Sequence, residues 1–221
     1  MTGDEPRADA LETTPENAEP VEWPVSLSGV TEAVVATLGP NGLWNLAALG
    51  LFAPDRDGGS ERDNAGSDDN LVTARTWGAT RTRGNFRRRG EGYVLFVDDP
   101  VLFADAALSI VEREEPVPDA ANAWARVAVE SLETGTDEGT EWERWALWPL
   151  EAGVEAETVP TIDRGFGAVV ETTVAASRLD VDGYDEAELR QRLEYFASVV
   201  DRAGGPRERE ALERVREHSS W

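Results

Sequence analysis

Six arginines (Arg75, Arg81, Arg83, Arg87, Arg88 and Arg89) fall between Asp69 and Glu91, a stretch that contains no acidic residue. The chain as a whole has a formal net charge of −23, so everything outside this stretch sums to −29. A positive island kept so clear of acids fits a fixed anion such as a phosphate. Its leading half, Arg75–Phe86 (RTWGATRTRGNF), has the ingredients of a phosphate cradle at a strand–helix junction. Free N–H groups and a partial positive charge gather at a helix start. Thr80 and Thr82 supply hydroxyls there, Asn85 supplies an amide, and Arg75 or Arg81 can grip oxyanions. The ordinary alternative is that the threonines cap a helix and the arginines pair with nearby acids. Arg87–Arg89 fall at the far end of the same helix, where cations suit the dipole.

Other chemistries are bounded by what the sequence lacks. It has 221 residues, no cysteine, no lysine and one histidine, His218, close to the C-terminus. Thiolate nucleophiles, disulfides and Schiff-base or Walker-type lysines are thereby excluded, and a histidine triad or histidine-rich metal site is disfavoured. Asp98-Asp99 precedes Pro100, which reads as a helix cap rather than a metal site. The acids are spread along the chain, which suits a solvated surface like that of proteins from salt-loving organisms. No apolar run reaches the roughly 20 residues that span a bilayer, and the acidic N-terminus does not read as a signal peptide. A cytoplasmic protein with no membrane and no nucleic-acid partner is expected, since −29 elsewhere repels a polyanion.

The elements that must position the cradle can be read from pattern. Residues 1–24 form an acidic, Pro-rich tail expected to be disordered. Thr31–Leu38 and Leu43–Phe52 flank Gly39-Pro40-Asn41-Gly42 and read as a β-hairpin, with Gly50 marking a bulge or the close approach of another group. Its second strand holds Asn45-Leu46-Ala47-Ala48-Leu49-Gly50, small residues that leave room for a flat ring against backbone amides, the ordinary alternative being a small-residue core strand. Ala53–Asp69 reads as a mobile polar loop. A strand over Asn70–Thr76 precedes the Thr80–Arg89 helix and its Gly90 stop. Gly92–Val97 is a buried strand, followed by a helix from Pro100 to about Val111. Ala123–Leu132 and Trp142–Val154 are further strands. In the second of these, alternation sets Trp145 opposite Trp142 and Trp148, which favours core packing over a base-stacking platform. Many strands with two short helices indicate a small barrel or strongly curved sheet. From Gly165 onward the apolar period becomes helical, giving three helices that end in Arg207–Glu217.

Several stretches carry a family resemblance. Asn45-Leu46-Ala47-Ala48 resembles an "N-x-A-P" strand, and Thr80–Phe86 resembles "S-x-T-x-x-N-L". Val97–Phe103 resembles "V-T-D-D-P-L-L-F". Asp163–Glu171 and Ser177-Arg178-Leu179 resemble "N-R-A-F-G-A-V-I-E" and "T-R-L". In this order they are similar to the domain of unknown function 447 family, FMN-binding split-barrel proteins found mostly in archaea and related to flavin reductases. The resemblance spans about residues 28–216. It implies an α+β fold, an FMN-binding split β-barrel over 25–158 with an appended helical unit over 159–221, and FMN at a homodimer interface. It places the phosphate and ribityl on Arg75, Thr80, Arg81, Thr82 and Asn85, and the ring along Asn45, Leu46 and Ala47. Ala48 stands in place of the proline, Asp163 in place of asparagine, and Ala175 where histidine is common. Flavin-reductase-like chemistry follows as an expectation, with NAD(P)H as a candidate donor. The alternatives are a non-catalytic FMN carrier and a polyanion-binding protein.

Overall fold

The computed structural model describes residues 21–54, 71–137, 139–159 and 161–221. The expected disordered tail and mobile loop fall almost entirely outside these residues.

Strands β1 (Val30–Leu38) and β2 (Trp44–Phe52) pair antiparallel in unbroken register, from Val30 opposite Phe52 to Leu38 opposite Trp44. The expected hairpin is therefore present, and Gly50 sits in it without a bulge, opposite Glu32. β3 (Val72–Trp77) leads into helix α1 (Arg81–Arg89), and β4 (Glu91–Val97) leads into α2 (Pro100–Leu108). α2 stops before Val111, which instead opens a short strand, β5 (Val111–Arg113). β6 (Ala121–Asp137) and β7 (Thr140–Val154) form a long hairpin. Helices α3 (Arg164–Ala176), α4 (Glu186–Ala203) and α5 (Pro206–His218) complete the chain.

All pairings are antiparallel, and the sheet closes on itself in the order β1-β4-β6-β7-β3-β2, with β2 returning to β1. This is a six-stranded barrel, to which β5 adds along the start of β2. Closure removes the exposed strand edges of an open sheet. The barrel interior is filled by alternate residues of each strand, among them Val35, Leu49, Leu51, Ala74, Val94, Val127, Trp145 and Leu147. Trp145 points inward as alternation requires and is 2% exposed.

Helix α1 contributes Phe86 to that core. Its ring is 2% exposed and meets Trp145 edge-on at 5.3 Å. A side chain at Gly92 would come within 3.1 Å of the Phe86 ring, so the glycine is what lets β4 pass beneath it. Gly90 ends α1 at φ 64°, the left-handed conformation that favours glycine at this position.

The outer face of β1 and β2 packs under α2 through Val34, Ala36, Leu46, Leu102 and Phe103. α2 in turn joins α3–α5 through Ala104, Val169, Leu193, Val200 and Leu212. Asp99 caps α2 by accepting from Val101 N and Leu102 N, and also takes the Arg207 guanidinium at 2.6 Å, pinning α5 to the barrel side. The chain is thus a split β-barrel with C-terminal helices appended.

Phe86→Ala would leave a cavity where helix and barrel meet. A loss of about 3–5 kcal/mol is expected, measured by denaturant unfolding. A loss below about 1 kcal/mol would show that the barrel holds without its plug.

Candidate functional site

The barrel's closure is incomplete along β2. β2 pairs with β1 along its whole length, but on its other edge β5 covers only Trp44–Leu46 and β3 covers only Leu51 and Phe52. Among the described residues, Ala47–Gly50 have no partner on that edge. In antiparallel pairs, hydrogen-bonded and non-hydrogen-bonded positions alternate. Ala53 N donates to Gly29 O and Gly39 N donates to Leu43 O, which sets the odd-numbered residues of β2 toward β1. The N–H and C=O of Ala48 and Gly50 therefore point into the split, presenting two donors and two acceptors in a row.

Below the split lies the start of α1. Thr80 is its N-cap and accepts from Arg83 N at 3.3 Å. No acid occupies the first turn, and the Arg81 and Thr82 N–H groups have no partner among the described residues. Thr82 is 4% exposed, and its hydroxyl likewise makes no hydrogen bond within the described residues. Asn85, one turn on, donates to Thr37 Oγ1 at 2.9 Å and Thr37 O at 3.3 Å. Thr37 is the cross-strand partner of Asn45. Asn45 is 5% exposed, and its side chain has no hydrogen-bond partner among the described residues. A polar layer of Thr82, Asn85, Thr37 and Asn45 thus connects the helix start to the start of β2. The Thr82 hydroxyl and the Asn45 amide make no hydrogen bond among the described residues, which leaves both groups able to meet a ligand.

The arginines divide by role. Arg83 is buried. Its Nε donates to Glu143 Oε2 at 2.8 Å and its Nη1 to Glu141 at 2.9 Å and to Gly78 O at 3.2 Å. Arg87 reaches the same Glu143 oxygen at 2.8 Å, and Ser131 donates to the other at 2.8 Å. Burial alone would raise the Glu143 carboxyl, but the hydrogen bonds from Arg83 and Ser131 and the Arg87 charge outweigh it and hold the pKa below the ordinary range. Arg83 and Glu143 therefore fix the Gly78 turn, and with it the helix start, and neither is available to a ligand. Arg81 ion-pairs with Glu112 at 2.6 Å, across from Asn45. Arg88 donates to Asn85 Oδ1. Arg75 lies on the outer barrel face, its guanidinium 4.4 Å over the Trp142 ring and 5.5 Å from Trp77, with no carboxylate partner among the described residues.

The expected site residues thus fall in three places. Thr80, Arg81, Thr82 and Asn85 cluster at α1, and Asn45 joins them through Thr37. Ala47 faces the barrel interior, whereas Leu46 faces α2 and is 1% exposed. Arg75 stands apart on its tryptophans. The sequence already marked the amides of this strand and a close approach at Gly50, but not which of its residues turn their backbone groups into the split. Glu143 was passed over, because nothing local marks a carboxylate sixty residues downstream of Arg83 as its partner.

The model for "Protein of unknown function (DUF447) N-terminal domain" matches residues 31–156, and the model for the C-terminal part of the same family matches residues 163–217. Among solved structures, an FMN-bound DUF447 protein from Methanosarcina mazei is 22% identical, with 87% of this chain and 96% of that chain aligned at a TM-score of 0.67. A flavoredoxin from Methanosarcina acetivorans is 16% identical over 65% of this chain and 79% of its own, at a TM-score of 0.37. A styrene monooxygenase flavin reductase from Pseudomonas putida is 11% identical over 60% and 93%, at 0.34. No described helix is long and apolar enough to cross a membrane.

Replacing Glu143 by glutamine leaves the buried Arg83 with only the exposed Glu141 as counter-charge. A fall in Tm of roughly 10 °C at pH 7 is expected. A carboxylate with a depressed folded pKa stabilises above its unfolded value of about 4.3 and loses that contribution as pH falls through the folded value. The gap between the native chain and Glu143→Gln should therefore narrow toward pH 3. An equal gap at pH 7 and pH 3 in urea unfolding would contradict the assignment.

Proposed function

The chain belongs to the DUF447 family, and we propose that it binds FMN in the split of its barrel, as a homodimer, with the phosphate on the start of α1 and the ring along the open edge of β2. The observation that carries this reading is the row of unpaired N–H and C=O groups on Ala48 and Gly50. The pyrimidine edge of an isoalloxazine presents alternating acceptors and a donor, which such a row can match. The phosphate placement is supported by the free Arg81 and Thr82 amides, the Thr80 and Thr82 hydroxyls and the absence of acid in the first turn. Asn85 and Asn45 sit where ribityl hydroxyls would pass between the two. That the solved DUF447 protein from Methanosarcina mazei is FMN-bound agrees with the same reading.

A bound flavin would supply hydride transfer from its own ring, so the chain needs no histidine, cysteine or lysine to provide it. The protein's part is to hold the phosphate, orient the ring and shield one face of it. Ala47, Ala48 and Gly50 serve this by their small size, since a larger side chain would fill the space a flat ring needs. We propose an oxidoreductase of flavin-reductase type with NAD(P)H as donor. Arg75, stacked on Trp142 and with no carboxylate partner among the described residues, suits either the FMN phosphate or the donor's phosphates. The polyanion reading loses its footing, because Arg81, Arg83 and Arg87 are already engaged by Glu112, Glu141 and Glu143.

Purified protein is expected to be yellow, with flavin bands near roughly 370 and 450 nm, or to gain them on adding FMN. Thr82→Ala combined with Arg75→Ala should weaken FMN binding by about tenfold or more, each tenfold step being about 1.4 kcal/mol. Protein that stays colourless with added FMN would refute the reading, and unchanged affinity in the double variant would move the phosphate elsewhere. Bleaching of bound flavin by NADH or NADPH is the outcome expected of an enzyme, and its absence with both that of a carrier.

A further inference from the structure

A second concavity lies on the outer barrel face, between the β1–β2 ladder and helices α2 and α3. It holds about 180 Å³, several times the share of a water molecule. Its floor is Ala48 and Gly50, one wall is Phe103 and Ala107, and the opposite wall is Thr173 and Ser177. Glu32 stands over the floor opposite Gly50, its carboxylate oxygens 3.5 and 3.7 Å from where a Gly50 side chain would begin.

The side-chain chemistry of this pocket is one-sided. Glu32 has no hydrogen bond or ion pair among the described residues and offers only acceptor oxygens when ionised. Thr173 has committed its hydrogen to Val170 O at 2.7 Å and Ser177 to Val174 O at 3.1 Å. Both hydroxyl oxygens are left as acceptors. Arg192 is turned to Glu171 at 3.6 Å. Glu32 remains open to solvent; partial burial, and then the Glu171 charge, push its carboxyl above the ordinary range. The rest of the lining is apolar. A ligand complementary to this surface is positively charged, carries several N–H donors on one end and has a short apolar body.

We propose that this pocket binds a small primary ammonium compound, with its N–H groups on Glu32 and the Thr173 and Ser177 oxygens and its alkyl part against Phe103 and Ala107. The Glu32 carboxylate and the Thr173 and Ser177 oxygens supply acceptors for the three donors of an ammonium group. The chain has no lysine, so no lysine side chain of a neighbouring copy can supply that group. The pocket shares Ala48 and Gly50 with the split, which would set a bound amine beside the proposed ring. The proposal does not rest on the flavin, because every group it uses belongs to this chain.

The test uses the full chain without added FMN, titrated by calorimetry with n-butylammonium chloride, n-butanol and sodium butyrate in separate runs. The ammonium compound is expected to bind at least tenfold more tightly than the alcohol, and butyrate not at all. Glu32→Gln should reduce ammonium binding tenfold or more. Ala107→Phe, which fills the pocket without altering a charge, should abolish it. Alcohol binding equal to amine binding in the native chain overturns the proposal, a result that does not depend on either variant folding. Amine binding unaffected by Ala107→Phe overturns it as well.

Discussion

The constraint on which this fold turns is that β2 has to serve three neighbours. It lies along β1 for its full length, while its other edge is taken first by β5 and then by β3. Among the described residues the ladder between those two partners is incomplete. Ala48 and Gly50 keep their amide groups aimed into the gap, because the alternation set at the two ends of the hairpin leaves them no other direction. A closed barrel satisfies most of its strand edges. This stretch of β2, lined by small residues, is one that the described residues leave open, and the neighbouring strand β3 leads to a helix start whose first amides have no partner among them.

The rest of the molecule holds that gap open. Phe86 plugs the barrel end and seats α1 beneath β2. The Arg83–Glu143 pair, with Glu141 and the Gly78 carbonyl, ties the same helix to β7 and β3. A buried pair of this kind is a poor source of net stability but an effective device for specifying geometry. Here that geometry is the position of the α1 N-terminus. On the other side, Asp99 and Arg207 link the helical unit to α2, and α2 covers the outer face of β2.

Much of the architecture was legible in the residues. The hairpin, the Thr80 cap, the Gly90 stop, the Asp99-Pro100 cap and the inward turn of Trp145 are local signals, set by backbone preferences and by alternation. The end of α2 was not, since Val111 continues an apolar run and only its pairing with Leu46 makes it a strand. The arginine island shows the same limit more sharply. Its charge pattern suggested one anion, yet Arg83 and Arg87 are neutralised by Glu143, about sixty residues away in sequence, while Arg75 stands on two tryptophans. Spacing along the chain could not separate these fates, because the partners come from a distant hairpin. The open edge was still harder to read, because it is a property of which strands meet and no single residue type reports it. The small-residue run Asn45–Gly50 was its trace.

Amide hydrogen exchange resolved residue by residue along β2, with and without FMN, tests the central claim most directly. Unpaired amides exchange fast and paired ones slowly. The account predicts fast exchange at Ala48 and Gly50 and slow exchange at Ala47 and Leu49 in the free protein, with Ala48 and Gly50 becoming protected when FMN binds. Slow exchange at Ala48 and Gly50 without FMN, or no change on binding it, would contradict the claim.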